Sequence, residues 1–287
     1  MASGRRAAEA GDGIPWHARA ARRIVEDMNP TDTATETGTG PDTDAPRRVA
    51  VVTGGSRGIG RAVAERLARE GLTVAVNYAR DSASARETVR TITEAGGRAI
   101  AIQADVADEH AVNAAFDRVH EEFGGVDVVV HCAGRLALSP IADLDLSVLD
   151  AMHRTNIRGT FVVAQQAARR LRAGGSFVAF STSVVATQFP AYGAYAASKG
   201  AVEAMTLILA RELRGRDVTV NTVAPGATAT DMFLDGKTEE QIETLAKAPA
   251  LERLGTPDDI AHVVAFLTSP EGHWVNGQIL RANGGMA

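Results

Sequence analysis

Two short stretches hold residues whose types and spacing suit one reaction. Tyr195-Ala-Ala-Ser-Lys199 places a phenol and an ammonium four residues apart, so a helix carries both on one face. A free tyrosine titrates near pH 10, too high for efficient acid–base work at neutral pH, and a nearby ammonium is expected to lower it. Far upstream, Thr53-Gly54-Gly55-Ser56-Arg57-Gly58-Ile59-Gly60 follows an apolar run and precedes a helical pattern. Glycines in that context suit a dinucleotide phosphate. Gly54 allows a tight turn, Gly58 and Gly60 let backbone approach a pyrophosphate, and the helix start offers free N–H groups and a positive dipole end. A proton donor and a dinucleotide together point to hydride transfer between a nicotinamide and a carbonyl or alcohol.

The elements that must position these groups follow from periodicity. From Arg47, short apolar runs alternate with helical patterns. Strands are expected at 47–53, 72–78, 98–104, 126–131, 176–181, 218–224 and 278–282. Helices are expected at 61–70, 85–94, 110–123, 146–172, 195–214, 238–248 and 257–268. Apolar strands alternating with helices imply an α/β fold: a single Rossmann-type, doubly wound parallel sheet of about seven strands with helices on both faces. Residues 47–287 would form one dinucleotide-binding and catalytic domain. Thr31 to Pro46 contains no large apolar residue, so residues 1–46 are expected to be a disordered tail. A short helix within it, at 16–28, is compatible with the pattern. A transit peptide is disfavoured by the acids Glu9, Asp12, Glu26 and Asp27.

Bulk composition removes other classes. The chain has 287 residues, is 45% hydrophobic and carries a formal charge of −5. That charge argues against nucleic acid as a main partner. A single cysteine, Cys132, rules out an internal disulfide and a multi-cysteine zinc site and fits a cytoplasmic location. No apolar run approaches the roughly 20 residues that cross a bilayer. His262 and His273 stand alone and suggest no metal, and Arg169, Arg170 and Arg172 read as solvated charges at a helix end.

The loop Thr53–Gly60 and the Tyr195-x3-Lys199 pair, in this order, resemble the short-chain dehydrogenase/reductase family, and specifically its 3-oxoacyl-thioester reductase branch. The resemblance spans roughly residues 47 to 287. It implies roles for further positions. Asp105-Val106 resembles the pair that contacts adenine. His131-Cys132-Ala133-Gly134 stands where the family usually has Asn-Asn-Ala-Gly, so that Ala133 and Gly134 match. Asn156 resembles the catalytic asparagine, anchoring a water that passes protons to Lys199. Pro225-Gly226 and Thr230 match the segment beside the nicotinamide. The resemblance implies a substrate-orienting hydroxyl, for which Ser181, Thr182 and Ser183 are the candidates. Ser183 is preferred because Val184-Val185 resembles the usual continuation, although the common spacing selects Thr182.

An NAD site usually has an acid at the end of the second strand. Here the residues are Asn77-Tyr78-Ala79-Arg80, and the first carboxylate is Asp81. Asn77 would not repel a 2′-phosphate, and Arg57 and Arg80 could bind one, so NADP(H) is expected over NAD(H). The expected substrate is a small carbonyl or alcohol, an acyl thioester among the candidates. It would lie between Ser183, Tyr195 and residues 188–194, under a lid at 231–250 with Phe189, Tyr192, Met232, Phe233 and Leu234. The family resemblance implies a homotetramer or homodimer, with Trp274–Gly285 as interface. Two rival classes are a cofactor-binding regulator without turnover and a purely structural oligomer; the intact Tyr–Lys pair counts against the first.

Overall fold

The computed structural model describes residues 47–287; the expected tail lies outside the described residues. Seven parallel strands form one sheet in the order β3-β2-β1-β4-β5-β6-β7. They are β1 Val49–Thr53, β2 Thr73–Tyr78, β3 Arg98–Gln103, β4 Val126–His131, β5 Leu171–Phe180, β6 Val218–Pro225 and β7 Ile279–Ala282. The strand order reverses between β1 and β4. That is where the crevice of a doubly wound sheet opens, above the carboxyl ends of the strands.

Strand alternation divides the core in two. Val49 and Val51 of β1, Val129 of β4 and Phe177 of β5 face one side, joined by Phe116, Val163, Met205 and Leu209 from helices. Ala50, Val52, Val128, Val130 and Val178 face the other, against Val63, Leu67, Ile260, Val264 and Leu267. Both faces are therefore covered, which explains why these strands are apolar throughout and not alternating. The helices Glu109–Phe123, Gly159–Arg170 and Gly193–Glu212 cover the first face; Gly58–Arg69, Ser82–Glu94 and Pro257–Thr268 cover the second.

Two expected boundaries differ. The long helix expected at 146–172 is broken into Leu146–His153, a π-helical turn Arg154–Arg158, and Gly159–Arg170. Strand β5 then begins directly at Leu171, earlier than expected. Arg170 and Arg172 are not simply solvated. Arg170 pairs with Asp117 at 2.6 Å, and Arg172 Nε donates to Asp127 Oδ1 at 2.8 Å. Asp127 Oδ2 also accepts the Val49 N–H at 2.7 Å, so this ion pair fastens the entry of β1 to β4 and β5.

Phe177 lies at the centre of the sheet and is fully buried. Phe177→Ala is expected to cost about 3–5 kcal/mol through lost burial and a residual cavity. Denaturant unfolding should show a lower midpoint with an unchanged slope.

Candidate active site

The glycine loop turns between β1 and the helix Gly58–Arg69. Its glycines answer specific close approaches. A Cβ on Gly60 would lie 2.2 Å from the Gly54 carbonyl oxygen, and one on Gly54 would lie 2.9 Å from Ala133 Cα. Gly54 and Gly58 adopt φ of +63° and +54°, which L side chains resist. The helix has no side-chain cap, since Arg57 at its N-cap makes no such bond. Its first N–H groups thus remain available to an anion. A backbone cradle that any Cβ would fill, at the switch-point crevice, fits a dinucleotide pyrophosphate.

The turn after β4 meets this loop. Cys132 N–H donates to Thr53 O at 3.2 Å, and Ala133 N–H to Thr53 Oγ1 at 3.3 Å. The same hydroxyl pairs with His131 Nδ1 at 2.8 Å, while His131 Nε2 has no partner among the described residues. Burial, with the Lys199 charge adding to it, pushes the His131 imidazole down to about 3, so it is neutral. Cys132, just past the end of β4, packs against the second core cluster. Burial pushes the Cys132 thiol up, away from a reactive thiolate.

Asn77 is buried at the end of β2. Its amide donates to Ile102 O at 3.3 Å and Ala104 O at 3.0 Å, bracing the end of β3. An aspartate here would set acceptor against acceptor, so the fold itself excludes a carboxylate. Tyr78 is half-buried against the second core cluster. Val106 is buried, and Gly159 is needed to clear it, because a Cβ there would lie 2.7 Å from Val106 Cγ2. Asp105 accepts the Ala107 N–H at 3.0 Å and pairs with Arg154 at 2.8 Å. Arg57 and Arg80 are exposed at this end; Arg57 acts on Asp81 and Arg80 on Asp105 only as distant charges.

Tyr195 and Lys199 lie on the helix Gly193–Glu212 and face one cavity of about 230 Å³. Lys199 is 5% exposed and donates to Phe180 O at 2.8 Å. Its Nζ lies 5.9 Å from the centre of the Tyr195 ring. The depressed tyrosine expected from this pair is not found. Burial pushes the Tyr195 phenol up to about 12, Tyr192 adds to the rise, and only the Thr182 side chain pulls the other way, by a hydrogen bond. The ammonium is itself strained by burial, which pulls it down to about 8. Desolvation is the largest cause at both groups, and neither group is a cause of the other's shift.

The three hydroxyls at the end of β5 have different partners. Ser183 Oγ donates to Ala224 O at 3.2 Å and accepts from Asn283 Nδ2 at 3.0 Å, so it is committed to β6 and the segment after β7. Ser181 Oγ donates to Glu203 at 2.6 Å. Of the three, Thr182 is the one beside the phenol. Asn156 is fully buried in the π-helical turn. Its side chain accepts Arg135 N–H at 2.8 Å and donates to Arg135 O at 2.9 Å and Ser198 Oγ at 3.0 Å. Gly134 abuts both Lys199 and Asn156, since a Cβ there would lie 3.4 Å from Nζ and 3.5 Å from Oδ1.

Pro225, Gly226 and Thr230 line the same cavity, and Gly226 is pressed against Asn283, 2.8 Å from where its Cβ would be. Thr230 Oγ1 accepts Phe233 N–H at 3.3 Å and starts the short helix Asp231–Leu234. Phe189, Tyr192, Met232 and Phe233 line the cavity as expected, whereas Leu234 does not. Arg135, Leu136, Leu245 and Met286 also line it and were missed. No short-range pattern marks them, because they arrive from three separate segments. Among the described residues no cluster of three metal-ligating side chains occurs, and no helix is long and apolar enough to cross a membrane.

Comparison with known proteins agrees with this architecture. A family model described as enoyl-(acyl carrier protein) reductase matches residues 54–287. A short-chain type dehydrogenase/reductase of Picea abies is 44% identical, the match covering 83% of this chain and 92% of that protein. An Arabidopsis thaliana protein named NADPH-dependent aldehyde reductase 2, chloroplastic, is 42% identical over 83% of this chain and 93% of its own length. The crystal structure of a short-chain dehydrogenase from Burkholderia cenocepacia J2315 in complex with NADP superposes with a TM-score of 0.79 at 43% identity, covering 84% of this chain and 98% of that one.

The buried lysine yields a stability prediction with a definite sign. Its folded pKa of about 8 lies below the ordinary 10.5, so between these values the unfolded chain holds more protons. Stability should therefore rise with pH across that window, and the full penalty applies below it. Lys199→Met should raise the melting temperature of the cofactor-free protein at pH 7. That advantage should shrink as pH climbs from about 8 to 10.5, as read by calorimetry.

Proposed function

The chain belongs to the short-chain dehydrogenase/reductase family, and we propose that it is an NADP(H)-dependent reductase of small carbonyl compounds with Tyr195 as acid and base. One observation carries this reading. A buried phenol, a buried ammonium and the Thr182 hydroxyl converge on the cavity that Ile59 of the glycine loop also lines. The relative named as an NADPH-dependent aldehyde reductase and the NADP-bound structural neighbour support the cofactor and the carbonyl.

The residues suited to hold NADP(H) are Gly54, Ser56, Arg57, Gly58, Ile59 and Gly60 in the loop, with Asp105, Val106, Ala133 and Gly134 on the adenine side. Tyr195, Lys199, Pro225, Gly226 and Thr230 would flank the nicotinamide end. Arg57 and Arg80, exposed beside the loop, suit a 2′-phosphate; Asn77 and Tyr78 shape the wall there from the backbone and the core.

When bound, the reduced nicotinamide supplies hydride to the carbonyl carbon. The Tyr195 phenol, pushed up to about 12, holds its proton at neutral pH and gives it to the substrate oxygen as charge develops there. Thr182 donates a second hydrogen bond to that oxygen. The Lys199 ammonium stabilises the resulting phenolate. Asn156, clamped to Arg135 and Ser198, is a positioning residue for the path that returns a proton to Lys199. Ser183 instead tethers Asn283 and so places Met286 at the cavity wall. Association into a homodimer or homotetramer through the segment at 274–285 is part of the proposal, supported by Trp274, which is 98% exposed.

NADPH oxidation against a panel of aldehydes, ketones and 3-oxoacyl thioesters tests the reading. Tyr195→Phe should lose at least about 10²-fold in kcat while still binding NADPH. A variant that bound the cofactor and kept its turnover would overturn the role of Tyr195, and a protein that bound NADPH with no turnover on any substrate would favour the regulator. Thr182→Val should lose about 10²-fold in kcat, and Ser183→Ala far less. Comparable kcat/KM with NADH would overturn the cofactor preference.

A further inference from the structure

Resting on the reductase reading of this cavity, we propose that Arg135 makes the enzyme selective for carbonyl substrates that carry a carboxylate. Arg135 and Lys199 are the only charged side chains among the described residues that line the cavity, and no acid lines it. Lys199 is committed to Phe180 O, with its ammonium 5.9 Å from the centre of the Tyr195 ring. The Arg135 guanidinium makes no hydrogen bond or ion pair among the described residues, although its own backbone is held on both sides by Asn156. Two other arginines near this end of the sheet, Arg154 and Arg158, are paired with Asp105 and Glu109, both at 2.8 Å.

The placement is specific. Gly134, the residue before, abuts Lys199 Nζ, so Arg135 springs from a fixed backbone one residue away from the proton-handling group. The remaining wall is largely apolar, from Leu136, Phe189, Met232, Phe233 and Leu245. An apolar wall with one unpaired guanidinium matches a substrate with an apolar body and one anionic end. Arg135 is exposed at the mouth of the cavity, and its planar fork can bind a carboxylate by two parallel charge-assisted bonds. With the carbonyl at Tyr195 and the carboxylate at Arg135, the substrate is oriented as well as bound.

A matched pair of probes tests this: 4-formylbenzoate, which is anionic, and its neutral methyl ester. With NADPH, the wild-type protein should favour the anion by about 10-fold or more in kcat/KM, chiefly through KM. Arg135→Leu should abolish that ratio, Arg135→Lys should keep part of it, and added salt should reduce it. Titration calorimetry of both probes into the NADPH-loaded protein reads the same preference as a ratio of Kd, without turnover. A wild-type protein that does not favour the anion, or an Arg135→Leu variant that keeps the preference, overturns the proposal. So does an Arg135→Leu variant whose main defect is weaker NADPH binding, which would place the guanidinium on the cofactor. Absence of turnover with the preference intact in Kd would instead overturn the reductase reading alone.

Discussion

Everything at the site depends on how closely two backbone turns pack. The turn after β1 can meet the turn after β4 only because Gly54 has no side chain to strike Ala133, and it can close on itself only because Gly60 clears the Gly54 carbonyl. Thr53 locks the meeting, with its carbonyl and hydroxyl accepting from Cys132 and Ala133. The contact then propagates. Gly134, next along the second turn, touches Lys199 and Asn156, and Asn156 grips Arg135. The glycine turn and the buried Tyr195–Lys199 pair are thus two ends of one continuous backbone contact, formed where the strand order reverses.

On that frame the protein keeps groups in unfavourable electrostatic states. Lys199 is buried with a single carbonyl partner, and Tyr195 is buried without the stabilised phenolate that a nearby cation would create in water. The buried Lys199 charge destabilises the protein at neutral pH, whereas Tyr195 stays neutral there and adds no such cost. His131 takes part differently. Its neutral ring props Thr53 and adds no charge beside Lys199. A protonated imidazole there would repel the ammonium, so the neutral His131 spares Lys199 a like charge.

The sheet, its two-sided core and most element boundaries were legible in residues such as Val49–Thr53 and Val126–His131, because apolar runs of strand length between amphipathic helices leave few alternatives. The π-helical turn at Arg154–Arg158 was not. It belongs to a helical pattern on either side, and only the bond from Asn156 to Arg135, across the fold, gives the extra residue a purpose. Arg170 and Arg172 read as solvated because their acid partners, Asp117 and Asp127, lie far away in the chain. Asn77 read as a cofactor contact for the same reason: the carbonyls it serves belong to β3 and the residue just past it.

What the sequence determined by itself was local: the glycine spacing of a phosphate turn, the i, i+4 placement of Tyr195 and Lys199, and the alternation that makes a parallel sheet. These depend on conformational preference and periodicity, which neighbouring residues encode. Only the tertiary structure decided which of Ser181, Thr182 and Ser183 faces the phenol. Adjacent hydroxyls at a strand end are sorted by partners from Glu203, Ala224 and Asn283, each distant in the chain. It also decided that Tyr195 is raised and not lowered, because a pKa follows the burial of the whole surroundings and not the nearest charge alone. The same holds for Arg135: its residue type is plain in the sequence, but the absence of an acid around it is a property of the assembled cavity.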